Sequence, residues 1–246
     1  MKNSEQVLIT GANRGIGKSL VSVFSQNGHP VIATSRDLNT PFLEWCDITS
    51  KITGNSITPE FLALDDAAAA QNRAREIVTK NPQIKHFINN AAMAHGSTFF
   101  MTPIAVLKKV FEVNFFSTLA ISQIFIKHLF KSGGGKLLNI SSISTQFPMP
   151  GTLAYGSSKL ALEHSTSVIA KELQNTPVSV GAIGLGLVNT EMLAKMDIKS
   201  QENLKNLNPK IEVMDSITVA KEIYRFMTYL EPNTSGIVRF VESISE

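Results

Sequence analysis

Thr10-Gly11-Ala12-Asn13-Arg14-Gly15-Ile16-Gly17 is the stretch whose reading decides the fold. It follows the apolar run Val7-Leu8-Ile9 and opens a segment with apolar residues at Leu20, Val21 and Phe24. That order reads as strand, glycine turn, helix. Glycine reaches backbone angles closed to other residues and lets a phosphate come close to the main chain. The free N–H groups and the positive end of the helix dipole would then hold that phosphate. The spacing is T-G-x-x-x-G-x-G, with the wide gap first, and so differs from the common dinucleotide fingerprint G-x-G-x-x-G. A tight strand–helix turn that binds nothing has the same local pattern. The rest of the chain has to decide between the two.

Outward from this turn, strand-like and helix-like segments alternate. Gly28-His29-Pro30 is a turn, and Val31-Ile32-Ala33-Thr34 reads as a buried strand. Residues 38–58 hold Pro41, Gly54 and many Ser and Thr, and read as a short helix followed by a loop. A third strand is expected at 60–64. Asp65-Asp66 then caps an alanine-rich helix that stops near Asn81-Pro82. His86-Phe87-Ile88 is the fourth strand and runs into Asn89-Asn90-Ala91-Ala92. One long helix is expected over 102–131, with apolar residues at helical spacing from Leu107 to Phe125. Strands at 137–140, 178–183 and 237–241 and helices at 155–173 and 218–230 complete the pattern. The segment 187–215 is a long polar connection with little periodicity. Without a repeat or a composition break, the chain reads as a single domain over 1–246. The alternation predicts a doubly wound α/β parallel sheet of about seven strands with helices on both faces.

A net charge of +3 is too small to argue for nucleic acid or an anionic membrane. The single cysteine, Cys46, excludes an internal disulfide framework and fits a reducing, cytoplasmic setting. Met1 to Glu5 lead straight into the first strand with no signal-peptide pattern. The most apolar long segment, 104–130, carries Lys108, Lys109, Glu112 and Lys127, which argues against a membrane span. His29, His86, His95, His128 and His164 lack metal-ligand spacing, so no metal is expected.

In a parallel sheet of this kind, ligands lie beyond the carboxyl ends of the strands. Ser35-Arg36, Asp65, Asn89-Asn90 and Ser141-Ser142 fall there. Tyr155-Gly156-Ser157-Ser158-Lys159 carries the informative pair. Residues i and i+4 share a helix face, which makes phenol and ammonium neighbours. A free phenol has a pKa near ~10, and a nearby cation favours its charged form. Alone, Tyr-x-x-x-Lys is more often an ordinary helix-surface pair.

The glycine turn, Asn89 to Ala92, Asn114, Ser142 and Tyr155 with Lys159 occur in the order and spacing of one family. The chain resembles the short-chain dehydrogenases/reductases, in their short single-domain branch, over essentially its whole length. The resemblance implies that Tyr155 is the proton donor or acceptor. Lys159 would lower its pKa and bind the nicotinamide ribose. Ser142 would bond the substrate carbonyl, and Asn114 would hold a water for a proton relay. It also implies cofactor contacts from Gly11, Asn13, Arg14, Gly15, Ile16, Gly17, Ser35, Arg36, Asp65, Asn90, Tyr155, Lys159, Val188 and Thr190. N-capping alone would also explain Asp65. Two departures stand out. The family's Asn-Asn-Ala-Gly is Asn89-Asn90-Ala91-Ala92 here, and its Asn-Pro-Gly is Gly184-Leu185-Gly186.

Members that prefer NAD place an acid at the end of the second strand. This chain has Ser35 and then Arg36, with Arg14 in the glycine turn. An arginine pairs with a 2′-phosphate that a carboxylate would repel. The cofactor expected is therefore NADP. The reaction expected is hydride transfer between a carbonyl compound and its secondary or primary alcohol. Met93, His95, Phe147, Met149, Leu187 and Met192 flank the site as candidate pocket residues, and 187–215 is a candidate substrate loop or lid. A homodimer or homotetramer is expected from the family. The competing reading is a redox-sensing or scaffold protein that binds NADP without turnover; the intact Asn114, Ser142, Tyr155 and Lys159 speak against it.

Overall fold

The computed structural model describes residues 5–194, 213–236 and 238–241. At its centre Val7, Leu8 and Ile9 have no exposed surface; they form β1 (Gln6–Ile9). Beside it run β2 (Val31–Ser35) and β4 (Ile84–Asn89), both parallel to it. The body of the sheet is completed by β3 (Ile57–Phe61), β5 (Gly135–Ser142) and β6 (Val178–Leu185), and the short β7 (Val238–Val241) pairs along β6 at the far edge. The order is β3-β2-β1-β4-β5-β6-β7, with every pairing parallel. Successive strand residues face opposite sides, and in a sheet covered on both sides all of them are apolar.

Val7 and Ile9 therefore join one core cluster, under α1 (Gly15–Gln26), α2 (Thr40–Thr53) and the last helix. Leu8 and Ile32 join a second cluster, under α3 (Ala67–Lys80) and the long helical arm after β4. That arm is α4 (Ile104–Phe111), a π turn (Glu112–Ser117) and α5 (Thr118–Lys131). It is followed by α6 (Leu153–Glu172), the short α7 (Glu191–Ala194) and α8 (Ser216–Tyr229).

Three local expectations are corrected. Residues 38–58 hold a full 14-residue helix, α2. Asn39 caps it by accepting a hydrogen bond from the Phe42 N–H, and Gly54 closes it in the left-handed region at φ 71°. The third strand lies at 57–61 and carries Pro59, which an edge strand tolerates because its missing N–H leaves no ladder bond unmade. Leu62 and Leu64 are buried beneath the sheet, in the second cluster, after the strand has ended. The expected continuous helix over 102–131 is broken at its middle by the π turn.

The second cluster centres on Phe87 of β4 stacked on Phe125 of α5, ring centroids 3.9 Å apart and both fully buried. Phe87→Ala removes this contact where the sheet cannot collapse. It should cost about 3–5 kcal/mol in urea unfolding. A loss below about 1 kcal/mol would mean that the helical arm is not anchored there.

Candidate active site

The order of the sheet reverses between β1 and β4, and such a point opens a crevice at the carboxyl ends of the strands. Thr10 and Asn90 stitch it together. The Thr10 hydroxyl accepts hydrogen bonds from the N–H groups of Asn90 and Ala91, each at 3.0 Å. The Asn90 side-chain amide donates to the carbonyls of Thr10 at 2.8 Å and Gly11 at 3.2 Å. Only glycines fit beneath. A Cβ on Gly11, whose φ is +65°, would lie 2.9 Å from Ala91 Cα. One on Gly17 would lie 2.1 Å from the Gly11 oxygen and 2.7 Å from Asn90 Nδ2. Gly15, at φ +51°, faces Thr190 across a gap that a Cβ would narrow to 3.3 Å. Helix α1 begins at Arg14 without a side-chain cap, so its first N–H groups are left for another acceptor. The turn from Asn13 to Ile16 between these glycines is thus a cradle that fits a phosphate.

On the other side of the crevice, β5 delivers Ser142 and α6 delivers Tyr155 and Lys159. The Ser142 hydroxyl lies beside the Tyr155 phenol. Burial pushes that phenol up from its usual range, with the serine acting the other way. Lys159 is 2% exposed. Burial brings its ammonium down to about 8, and the charge of Glu163 opposes the fall. Its Nζ donates to the Ile140 carbonyl at 2.7 Å and lies 5.8 Å from the centre of the Tyr155 ring. The expectation that Lys159 lowers the phenol's pKa therefore does not describe this state: the ammonium is spent on a carbonyl, and burial governs the phenol.

Asn114 lies in the π turn and is fully buried. Its side chain accepts from Met93 N–H at 2.7 Å and donates to the Met93 carbonyl at 2.9 Å and to the Ser158 hydroxyl at 3.0 Å. Ser158 in turn donates to the Tyr155 carbonyl at 2.7 Å. Asn114 thus ties the loop after β4 to the turn of α6 that bears Tyr155.

The outlying candidates separate. Ser35 is buried and its hydroxyl accepts from Asp37 N–H at 3.1 Å, whereas Arg36 is exposed. Asp66, not Asp65, caps α3 through Ala69 N–H, so capping does not account for Asp65. Arg14 pairs with Glu191 at 2.9 Å. Val188 bridges to Met214, and Leu187 and Asn189 bond the same residue, so the two ends of segment 187–215 are clasped together. Its middle, 195–212, and the Met192 side chain lie outside the described residues. Leu187 packs with Ile143, Met149 and Leu193 in a small apolar cluster beside Ser142. The sequence reading missed Glu163, buried on α6 one turn beyond Lys159; the i, i+4 spacing was its one available signal. Among the described residues no group of three or more His, Cys, Asp or Glu is arranged to hold a metal ion.

The family model for short chain dehydrogenase matches residues 5–201. The chain belongs to that family. It is an oxidoreductase family with a nucleotide-binding, Rossmann-type fold. The chain is 31% identical over 192 residues to dehydrogenase/reductase SDR family protein 7-like of Drosophila melanogaster, covering 76% of this chain and 58% of that protein. It is 27% identical to carbonyl reductase [NADPH] 2 of Sus scrofa over 97% of this chain and 95% of that one. The solved structure of ElxO with NADP bound superposes with a TM-score of 0.85 at 26% identity, covering 98% of each chain.

The buried lysine has a measurable signature. Its folded-state value of about 8 lies below the ordinary 10.5, so the folded protein disfavours its ammonium. That penalty is present in full below about 8 and is relieved as pH rises toward 10.5. It amounts to roughly 3 kcal/mol at neutral pH. Made in a Glu163→Gln background, so that no buried carboxylate loses its opposite charge, Lys159→Met should therefore melt no lower at pH 7 than Glu163→Gln alone, and up to several degrees higher. A fall of several degrees would show instead that the ammonium is a net stabiliser.

Proposed function

We propose that the chain is an NADP(H)-dependent reductase of ketones or aldehydes, and equally an oxidant of the corresponding secondary or primary alcohols. The observation that carries this reading is the arrangement around Tyr155. A phenol whose pKa burial raises stays protonated at neutral pH, beside the Ser142 hydroxyl and one helical turn from a buried ammonium. When bound, NADPH supplies hydride to the carbonyl carbon. Ser142 and Tyr155 hydrogen-bond the carbonyl oxygen, and Tyr155 gives it the proton. Lys159, drawn off the Ile140 carbonyl, binds the ribose hydroxyls and returns the proton with a water held at the π turn. Asn114, whose side chain bonds Met93 and Ser158, is the residue proposed to hold that water.

Arg36 and Arg14 are the cations proposed for the 2′-phosphate. Both are accessible, and no acid stands at position 35. Gly11, Asn13, Gly15, Ile16 and Gly17 hold the diphosphate, with Ser35, Asp65 and Asn90 toward the adenosine and Val188 and Thr190 toward the carboxamide. Segment 187–215 is proposed as the substrate loop of a single NADP-binding domain spanning 1–246, a reading that its clasped ends support. Ile104, Phe116, Leu153 and Leu160 are exposed on α4, the π turn and α6. We assign this face to a second copy in a homodimer or homotetramer. The setting proposed is cytoplasmic, and among the described residues no helix is long and apolar enough to cross a membrane.

NADPH should bind more tightly than NADH. Arg36→Ala should weaken NADPH alone, by about 1.5–3 kcal/mol. Equal affinities of the parent for the two cofactors overturn the NADP assignment. Separately, Tyr155→Phe should abolish NADPH-dependent reduction across a panel of diketones, quinones and aldehydes while leaving NADPH affinity nearly unchanged. Full turnover in that variant overturns the role of the phenol.

A further inference from the structure

Glu163 is 6% exposed, one helical turn beyond Lys159 on α6. A carboxylate is rarely buried this deeply without partners that favour its charge. It has two. Its Oε1 accepts hydrogen bonds from the Ser141 hydroxyl and, at 3.0 Å, from the Thr145 hydroxyl. These residues bracket Ser142. Thr145 Oγ1 also lies 2.9 Å from the Ser142 carbonyl, and the Ser142 hydroxyl accepts from Ser144 N–H at 3.2 Å. The turn over residues 141–145 that presents Ser142 to Tyr155 is therefore fixed from behind by one carboxylate.

The same carboxylate is the charge that acts on Lys159. Among the described residues, the ammonium is opposed electrostatically by Glu163, and the carboxylate by Lys159. The surroundings supply little else. Helix α6 packs against β5, β6, α4, the π turn and the turn 143–145. From these, the Ile140 carbonyl meets the ammonium and the Ser141 and Thr145 hydroxyls meet the carboxylate. The acid of the π turn, Glu112, is committed to Ala67 N–H and the Ser117 hydroxyl. On α6 itself, the phenol of Tyr155 is the other titratable neighbour of Lys159.

We propose that Glu163 is a positioning residue that holds the Ser142 turn in place and keeps Lys159 charged. This rests on the reductase reading for its consequence, since a charged Lys159 matters to the extent that it serves ribose and phenol. Burial raises the pKa of the carboxyl, while its two hydroxyl donors and Lys159 act to keep it ionised. Burial and the opposing charge of Glu163 together leave the ammonium at about 8, so loss of that charge would bring it lower still.

Glu163→Gln tests this: it removes the charge and keeps an oxygen able to accept from Ser141 and Thr145. The first readout needs no activity. The 13Cε resonance of Lys159, assigned by its loss in Lys159→Met, is followed against pH in the apo protein. Its midpoint should fall by about one unit or more in Glu163→Gln. The second readout is the alkaline limb of kcat/KM for NADPH-dependent reduction, which should move the same way, with little change in melting temperature. An unchanged Lys159 midpoint overturns the electrostatic role whatever the activity. A shifted midpoint in a protein that reduces no carbonyl compound leaves this assignment standing and overturns the reductase reading instead. Thr145→Val with Ser141→Ala frees the turn and withdraws both hydroxyl donors from the carboxylate. Measured below that variant's own Lys159 midpoint, so that the ammonium is still charged, its kcat should fall tenfold or more; undiminished kcat overturns the turn-holding role.

Discussion

The stitch between Thr10 and Asn90 is the constraint on which the rest of the site depends. At β1 the chain turns toward one face of the sheet, and at β4 toward the other, so the two carboxyl ends would spread without a tie. A single hydroxyl takes two N–H groups, and a single amide spans two carbonyls. Valine at position 10 would keep the shape and strand two buried donors, each of them costly to leave unpaired. The glycines follow from the same closeness. Gly17 passes so near the Gly11 carbonyl that no side chain fits, and this crowding fixes the start of α1 against the crevice.

The opposite wall is organised by burial of charge. Lys159 is nearly without exposed surface, and a lone ammonium there would shed its proton. Two features moderate this: the Ile140 carbonyl takes a hydrogen bond, and Glu163 supplies opposite charge from one turn away. The result is a cation held below its ordinary range yet not silenced. Such perturbed groups cluster where chemistry is done, and they come at the expense of stability. The neutral phenol, the serine turn and the ammonium thus depend on one another through β5 and α6, two elements that pack against each other.

What could be read from the sequence follows from what each residue type is forced to do. The glycine turn was legible because backbone crowding admits only glycine at Gly11 and Gly17. The parallel sheet was legible because strands buried on both faces are apolar without interruption. Helix α2 was not, because its core face shows only Phe42, Cys46 and Thr49, and Pro41 and Gly54 read as breakers when they are its start and its cap. The π turn was invisible because one extra residue in a helical turn leaves no mark on composition. Within the site, sequence spacing put Tyr155 and Lys159 on one helix face but could not show where the ammonium points. It also passed over Glu163, since an acid four residues from a lysine is ordinarily a solvated pair.

The ion pair between Arg14 and Glu191 bears on how the two walls communicate. Both side chains are half exposed or more, so the pair is worth at most about 1 kcal/mol. A phosphate oxygen meeting a guanidinium makes charge-assisted bonds in a fixed fork, which are stronger than an exposed monodentate contact. The pairing therefore does not count against Arg14 as a phosphate cation, because a 2′-phosphate could displace the carboxylate. Its location matters more. Glu191 is the first residue of α7 and follows Thr190, which itself lies against Gly15. The glycine turn and the start of the loop after β6 thus touch twice, once through a methyl group and once through a charge. An anion that takes Arg14 would break the second contact and leave the first.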